Sequence, residues 1–152
     1  MRARAIIAGA LLGFAIGVAP ASGAATRTEY IAQVDPICQG AIKDGKAALK
    51  KATQGKPGDS RARGQGIVRK YTIFLKARLR ILAVDAAPGD EQTVHAWTVS
   101  LGKAFLLGQH YGRALRSGDQ TDASATAKKL KRKTNSATGI VAGFGFSSCD
   151  DF

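Results

Sequence analysis

Few residues of this sequence combine a reactive side chain with a spacing that supports chemistry. Ser100 and Lys103 match the S-x-x-K pattern of acyl-serine enzymes, but the partner motifs S-D-N and K-T-G are absent from the chain. The segment from Gly40 to Ala47 approaches the phosphate-binding loop G-x-x-x-x-G-K-[ST], yet it has alanine where the loop needs a hydroxyl for magnesium. Its apolar spacing continues a helix, whose N–H groups are already used. Neither pattern predicts an active site.

The histidines and the adjacent acidic residues do not form a catalytic or metal-binding pattern either. His95 and His110 are fifteen residues apart, which is about 22 Å along an α-helix, so they cannot share a metal ion within one chain. Asp150 and Asp151 are adjacent, but we expect them to be solvated rather than to form a paired-carboxylate site. We therefore predict a non-enzymatic protein with no catalytic residue, no metal and no cofactor.

The first residues of the chain indicate export. A short basic segment precedes an uncharged, mostly apolar run over residues 5–18, and the small residues Ser22 and Ala24 follow it. These are the parts of a secretory signal peptide with a small-x-small cleavage site. The apolar run is shorter than the roughly 20 residues of a membrane-spanning helix, although an uncleaved anchor is the alternative. We predict a signal peptide over residues 1–24 and one domain over residues 25–152.

Export would change the net charge of the mature chain, and it favours a disulfide between the cysteines. The chain has 152 residues and a formal net charge of +12, and loss of residues 1–24, which carry two arginines and no acid, would leave 128 residues at +10. A chain of that length can bury one core. Cys38 and Cys149 are its only cysteines. In an exported protein we expect two cysteines to form a disulfide, the alternative being two free buried thiols.

Three Gly-Asp pairs divide the body of the chain into four helical segments. The pairs are Gly58-Asp59, Gly89-Asp90 and Gly118-Asp119. Glycine adopts the left-handed conformation that ends a helix, and aspartate caps the N–H groups that begin the next. Each segment has apolar residues at helical spacing; those of the second are Ile67, Tyr71, Phe74, Leu75, Leu79 and Leu82. Pro36 interrupts the first segment, either as a kink or as the first helical residue after an Asp35 cap.

Short turns between long helices make neighbours antiparallel, which predicts an all-α, up-down-up-down four-helix bundle. In this topology the first helix begins at the end of the bundle where the fourth helix finishes. Cys38 lies near that beginning and Cys149 lies just after that finish. A Cys38–Cys149 disulfide would therefore tie the C-terminal tail to the first helix, and we expect Phe144 and Phe146 to cap the open end of the core.

The pattern resembles that of small exported helical-bundle proteins of actinobacteria. Such chains have an aromatic residue shortly before an early cysteine, a tryptophan early in the third helix, and a tail rich in glycine and aromatic residues that ends in cysteine. The matching positions here are Tyr30 and Cys38, Trp97, and residues 143–149. The resemblance implies the bundle fold and export, and it implies no chemistry because that class has no established activity.

Clustered positive charge is the remaining feature of the sequence that suggests a function. Three basic residues of the second helix fall on one face, because they are seven and four residues apart: Arg69, Lys76 and Arg80. Five more surround Leu130 in the fourth helix: Lys128, Lys129, Lys131, Arg132 and Lys133. Such faces suit an anionic polymer, for example nucleic acid or cell-wall phosphate, or an anionic lipid surface. The few aromatic residues are needed in the core, so we expect no sequence-specific nucleic-acid recognition.

Three hypotheses from different classes follow. The first is a non-enzymatic structural or interaction module of the cell envelope with an unidentified partner. The second is a binder of anionic polymer or anionic membrane surface through the second and fourth helices. The alternative for these basic residues is a solvated surface without a dedicated partner. The third is a carrier of a small ligand or haem that uses the core near Trp97, His110 and Tyr111.

Overall fold

The computed structural model describes residues 26–152, and the predicted signal peptide lies outside the described residues. The helices are α1 (Arg27–Thr53), α2 (Ser60–Ile81), α3 (Glu91–Ser117) and α4 (Gln120–Ile140), and a short 3-10 turn follows at Cys149–Asp151. Helices that are consecutive in the chain pack against each other. Within the described residues there is no strand. The predicted all-α four-helix bundle is confirmed.

The helices begin where side chains cap their free N–H groups. At the start of α1 the Thr26 hydroxyl accepts from the Glu29 N–H at 3.2 Å, and the Glu29 carboxylate accepts from the Thr26 N–H at 2.7 Å. Asp59 and Asp119 cap α2 and α4 as predicted. The N-cap of α1 is Thr26, nine residues before Asp35, so Pro36 lies inside the helix. The interpretation of Pro36 as the first helical residue is therefore wrong.

Asp90 occupies the N-cap position of α3, but its side chain does not cap the helix. Instead, its carboxylate accepts from Arg27 Nε at 2.7 Å and from the Nη2 group of the same arginine. The hydrogen bond from Arg27 is the main cause of the lowered pKa of Asp90. The predicted capping role is therefore wrong for this side chain, because an ion pair between the starts of α1 and α3 uses both carboxylate oxygens.

The last residues of the described chain, 141–152, form a tail that closes the bundle against α1. Within residues 26–152, α4 itself has at most a marginal contact with α1, whereas the 3-10 turn packs on α1 directly. The predicted Cys38–Cys149 disulfide is confirmed, with the two Cα atoms 5.2 Å apart. It closes a sequence separation of 111 residues, and chain-entropy estimates give such a link about 4–5 kcal/mol of stabilisation.

Aromatic side chains of the tail are part of the core. Phe146 stacks on Trp97 of α3 with ring centroids 5.1 Å apart, and Phe144 meets Tyr30 of α1 edge-on at 6.2 Å. Both phenylalanines are buried, so they pack against the core as the sequence predicted. Phe152, whose position was not predicted, stacks on Phe74 with ring centroids 4.7 Å apart. The tail therefore fills the space between helices.

Asp35 binds the backbone of the tail. Its Oδ2 accepts from the Ser147 N–H at 2.8 Å and from the Ser147 hydroxyl at 2.7 Å, and its Oδ1 accepts from the N–H groups of Ser148 and Cys149. Burial acts to raise the pKa of Asp35, but these hydrogen bonds outweigh it and leave the pKa lowered. Asp35 thus acts as the cap of the 3-10 turn rather than of its own helix.

The buried face of α2 differs from the predicted one. Leu79 is 62% exposed and Leu82 is 45% exposed, whereas Ala77 and Ile81 are buried. The prediction is wrong for Leu79 because α2 packs on two neighbours at once, on α1 through Gly66 and on α3 through Gly64. The centre of the buried face lies between those two directions, where Phe74 and Ile81 point. The prediction is wrong for Leu82 because α2 ends at Ile81 and Leu82 lies at its C-cap.

Glycines set the distance between α2 and α3. A Cβ atom placed on Gly64 would lie 2.5 Å from the carbonyl oxygen of Gly112 and 2.8 Å from the backbone nitrogen of Arg116. A Cβ on Gly112 would in turn lie 2.8 Å from the Gly64 carbonyl oxygen. The two helices therefore cross with their backbones in contact, a distance that only glycine at both positions allows.

We expect Gly64→Ala to lower the free energy of unfolding by about 1–3 kcal/mol, because the new methyl group meets backbone atoms that cannot move aside without separating the helices. Gly40→Ala is the matched control, since a Cβ on Gly40 has open space around it. Alanine there should raise stability by up to about 1 kcal/mol, because it favours helix over glycine. Urea denaturation of the oxidised proteins measures both changes, and equal effects at the two positions would contradict the close crossing.

We expect Asp35→Asn to lower the free energy of unfolding by about 1–2 kcal/mol at neutral pH, because the amide loses the charge that strengthens the hydrogen bonds from the tail. The folded-state pKa of Asp35 lies below its ordinary value of about 3.9. Its stabilisation is therefore fully present above that value and is lost as the pH falls through the lower folded-state pKa.

The measurement is urea denaturation of both proteins over a pH series, and the stability difference between them should shrink below about pH 4. Asp44→Asn serves as the control, because Asp44 lies exposed on the same helix. It should change stability by less than about 0.5 kcal/mol. A difference between wild type and Asp35→Asn that stayed constant to about pH 2 would show that the charge of Asp35 does not hold the tail.

Candidate functional site

The basic side chains of the bundle are almost entirely without acidic partners. Among the side chains that the structure describes, two pairs bring a basic nitrogen within 4.0 Å of a carboxylate oxygen, Arg27–Asp90 and His110–Asp122. The second joins an imidazole to a carboxylate, with His110 Nε2 2.8 Å from Asp122 Oδ2. Arg27 is therefore alone among the described lysines and arginines in having such a partner, and most of the remaining ones are exposed.

The three basic residues predicted on one face of α2 are exposed there. Lys76 and Arg80 border a shallow cleft of about 350 Å³ between α1 and α2. Arg69 is exposed on the same face, almost two turns earlier. Asp44 of α1 lies in the lining of the cleft and supplies one opposing charge. The structure thus brings these residues together as a stripe rather than as an enclosed site.

Two other basic residues of α2 have structural roles. Arg78 Nε donates to the carbonyl oxygen of Thr98 in α3 at 2.6 Å. The Lys70 ammonium lies 5.1 Å from the ring centroid of Phe74, within range of a cation–π interaction. Burial, and then the neighbouring charge of Lys46, lower the pKa of Lys70. These two side chains are therefore not part of the exposed stripe.

The cluster on α4 covers a broad exposed face. At 100° per residue its five positions span about 200° of the helix circumference. Four of them are exposed and Lys133 is half-buried; the full set is Lys128, Lys129, Lys131, Arg132 and Lys133. The opposite side of α4 packs on α3 through the small residues Ala123, Thr126 and Ala137.

The stripe on α2 and the cluster on α4 do not form one surface. α3 packs against α2 and against α4, while contact between α2 and α4 is at most marginal within residues 26–152. The two sets of basic residues therefore lie on different sides of the molecule. A ligand that contacts both must wrap around the bundle or be a surface or polymer larger than the protein.

The sequence-based prediction missed a third basic region, at the end of the bundle formed by the α1–α2 and α3–α4 turns, which we call the basic end. Its basic residues are Lys50, Lys51, Lys56, Arg61, Arg63, Arg113 and Arg116. Three of them, Arg61, Arg113 and Arg116, line one cavity. The signal that would have found it is the antiparallel register, which pairs the start of α2 with the end of α3.

The opposite end, which we call the disulfide end, has most of the acidic residues. It comprises the start of α1, the α2–α3 turn and the tail, and its acids include Glu29, Asp35, Asp85, Asp90, Glu91 and Asp150. Several of these carboxylates accept hydrogen bonds within the protein, as Asp35 and Asp90 do. The charge of the molecule is therefore uneven along the bundle axis.

The residues of the carrier hypothesis do not share one pocket. Trp97 is 1% exposed and packs in the core near the tail. His110 lies thirteen residues later on the same helix, about 20 Å away along the axis, and its Nε2 is engaged by Asp122. Tyr111 packs with a smaller hydrophobic cluster formed by Ile67, Ala114, Leu115 and Ala123. The arrangement offers no common site for a ligand.

The other reactive patterns also lie in ordinary helix. Ser100 is buried, and its hydroxyl has no hydrogen-bond partner among the described atoms, while Lys103 is exposed. Residues 40–47 are interior to α1, where N–H groups are used by the helix. Among the side chains that the structure describes, there is no group of three or more His, Cys, Asp or Glu residues arranged to hold a metal ion.

Comparison with protein-family models, with curated proteins and with solved structures gives no match to this chain. Over residues 26–152, every helix is too short or too polar to cross a membrane. The geometry and charge of the chain itself are therefore the basis for assigning a function.

Proposed function

We propose that the protein is an exported, non-enzymatic interaction module of the cell envelope that binds an anionic polymer or an anionic lipid surface through its basic faces. The observation that carries this proposal is the absence of internal partners for the positive charge, since Arg27 alone among the described lysines and arginines has a carboxylate within 4.0 Å. Charge that is not neutralised within a protein is available to an external anion.

Three features support the exported, non-enzymatic part of the proposal. A structural disulfide between Cys38 and Cys149 is compatible with an oxidising compartment. The N-terminal pattern is that of a signal peptide, and the resemblance to exported actinobacterial bundles points the same way. Apart from the His110–Asp122 pair, the residue types that carry out acid–base or nucleophilic chemistry are dispersed, and the buried Ser100 hydroxyl has no hydrogen-bond partner among the described atoms.

The shape of the basic regions favours an extended anion over a small neutral ligand. The α2 stripe and the α4 cluster are open surfaces on different sides of the molecule. Trp97 and the phenylalanines at positions 74, 105, 144, 146 and 152 are buried in the core, so base stacking is not offered. The chemistry of the partner is therefore repeated negative charge, as on a phosphate polymer or an anionic membrane, without recognition of a base sequence.

The experiment measures binding of the oxidised chain to duplex DNA, to a cell-wall phosphate polymer and to vesicles with and without anionic lipid, from about 50 to 300 mM salt. We expect affinity for one of these anions to fall steeply with salt, because each neutralised phosphate releases a counterion. Weak binding that is equal for all probes would contradict the proposal and leave the charge as surface character alone.

A charge-reversed variant tests whether the α2 stripe is part of the binding surface. Arg69→Glu/Lys76→Glu/Arg80→Glu should reduce the magnitude of the logarithmic salt slope by about 3, one for each lost phosphate contact. Lys43→Glu/Lys46→Glu/Lys103→Glu is the control, because it changes net charge equally at exposed positions outside the stripe. Equal loss in the two variants would mean that net charge rather than the stripe determines binding.

A further inference from the structure

The basic end contains a concave site that the two predicted basic groups do not include. A cavity of about 400 Å³, open to solvent, is lined by Arg61, Arg113, Arg116 and Ser117. Arg61 lies in the first turn of α2, and the other three belong to the last two turns of α3. Three arginines from two helices therefore line a single space.

The close crossing of α2 and α3 determines where these arginines lie. Arg61 precedes Gly64 by three residues, nearly one helical turn. A Cβ on Gly64 would lie 2.9 Å from the Cγ atom of Arg116, so the Arg116 side chain runs directly across the start of α2. Arg113 is three residues before Arg116, and residues at this spacing are neighbours on a helix surface. The backbone contact thus fixes the relative positions of the helix segments that carry the three arginines.

The guanidinium groups of the site form no ion pair within 4.0 Å among the described side chains, although Asp59 interacts with Arg61 at longer range. Asp59 is the nearest acid in the chain to Arg61, and its carboxylate accepts from the Ala62 N–H at 3.0 Å as the cap of α2. The Ser117 hydroxyl donates to the Ala114 carbonyl oxygen and so offers no donor to a ligand. Like charges held together in this way repel one another unless an anion lies between them.

We infer that Arg61, Arg113 and Arg116 form a binding site for a phosphate group, either a free phosphate or one phosphodiester of a polymer. A guanidinium presents parallel N–H donors at the spacing of two phosphate oxygens, and several arginines around one cavity can surround a tetrahedral anion. The wide opening leaves room for the groups on either side of a phosphodiester. The inference deepens the proposed function, and it rests on that function only where the phosphate belongs to a polymer.

The test is isothermal titration calorimetry of the oxidised chain with inorganic phosphate and, separately, with a short glycerol-phosphate oligomer. We expect Arg113→Gln/Arg116→Gln to weaken the binding of both probes by about tenfold or more, because two of the three guanidinium groups are lost. Lys50→Gln/Lys51→Gln removes the same charge at the same end of the bundle, outside the cavity. It should weaken binding by less than about twofold.

A charge-conserving variant separates geometry from charge. Arg113→Lys/Arg116→Lys keeps both positive charges but loses the paired donors, so it should weaken phosphate binding by about threefold or more. Backbone amide chemical shifts should change on phosphate addition at Gly64 and Ser117 and stay unchanged at the disulfide end. The variants should keep the circular dichroism spectrum of the wild type, since all the altered side chains are exposed.

The two sources of phosphate give different results. An oligomer that binds more than about tenfold tighter than inorganic phosphate identifies a polymer ligand, because linked groups raise the effective concentration. Equal affinities for the two probes identify a free phosphate.

Equal loss of binding in Arg113→Gln/Arg116→Gln and in Lys50→Gln/Lys51→Gln would overturn the arginine site, and so would the absence of binding of either probe to the wild type. Polymer binding that survives in Arg113→Gln/Arg116→Gln would overturn the site and leave the proposed function intact. If inorganic phosphate binds at the site but no anionic polymer or vesicle binds to the protein, the arginine site is supported and the proposed function is contradicted.

Discussion

The fold depends on the junction between α1 and the tail. Helix α4 alone buries few residues, and those that it does bury are small, such as Ala123 and Ala137. Its contact with α1 is at most marginal, so a bundle made of helices alone would leave one side of its aromatic core open. The tail covers that side with Phe144, Phe146 and Phe152, and the Cys38–Cys149 disulfide holds it there. The stabilisation expected from such a long loop, about 4–5 kcal/mol, is comparable with the net stability of a small domain.

The second constraint is the close approach of α2 to its neighbours. Glycines on the inner faces of the helices replace the larger side chains of an ordinary bundle, and at Gly64 and Gly112 the two backbones touch. Such a contact has little tolerance for rotation or sliding, because any shift brings atoms closer than van der Waals distance. It therefore fixes the register of α2 against α3, and with it the positions of the arginines beside the crossing.

The sequence predicts the fold more completely than it predicts the site. The Gly-Asp pairs and the helical spacing specify four helices, and the topology they imply places Cys38 beside Cys149. Contacts between side chains of different helices could not be predicted in this way. They depend on how each helix is rotated about its axis and how it is shifted along its neighbour, which no local sequence pattern specifies. Asp90 has the position of a cap and binds Arg27 instead, and Leu79 has core spacing but faces solvent. Arg61 and Arg116 are fifty-five residues apart in the chain and become neighbours only through the Gly64 crossing.

Many of the carboxylates stabilise the fold through contacts within the protein, and this leaves the charge of the molecule unevenly distributed. Carboxylates at the disulfide end are used within the protein: Glu29 caps α1, Asp35 holds the tail and Asp90 pairs with Arg27. At the basic end Asp59 and Asp119 cap helices, so the arginines there have few acids left to pair with. An uneven charge orients a protein in the field of an anionic surface, because the positive end is attracted more strongly. On the proposed function, the basic end meets the anion first, and the rigid, disulfide-linked end points away from it.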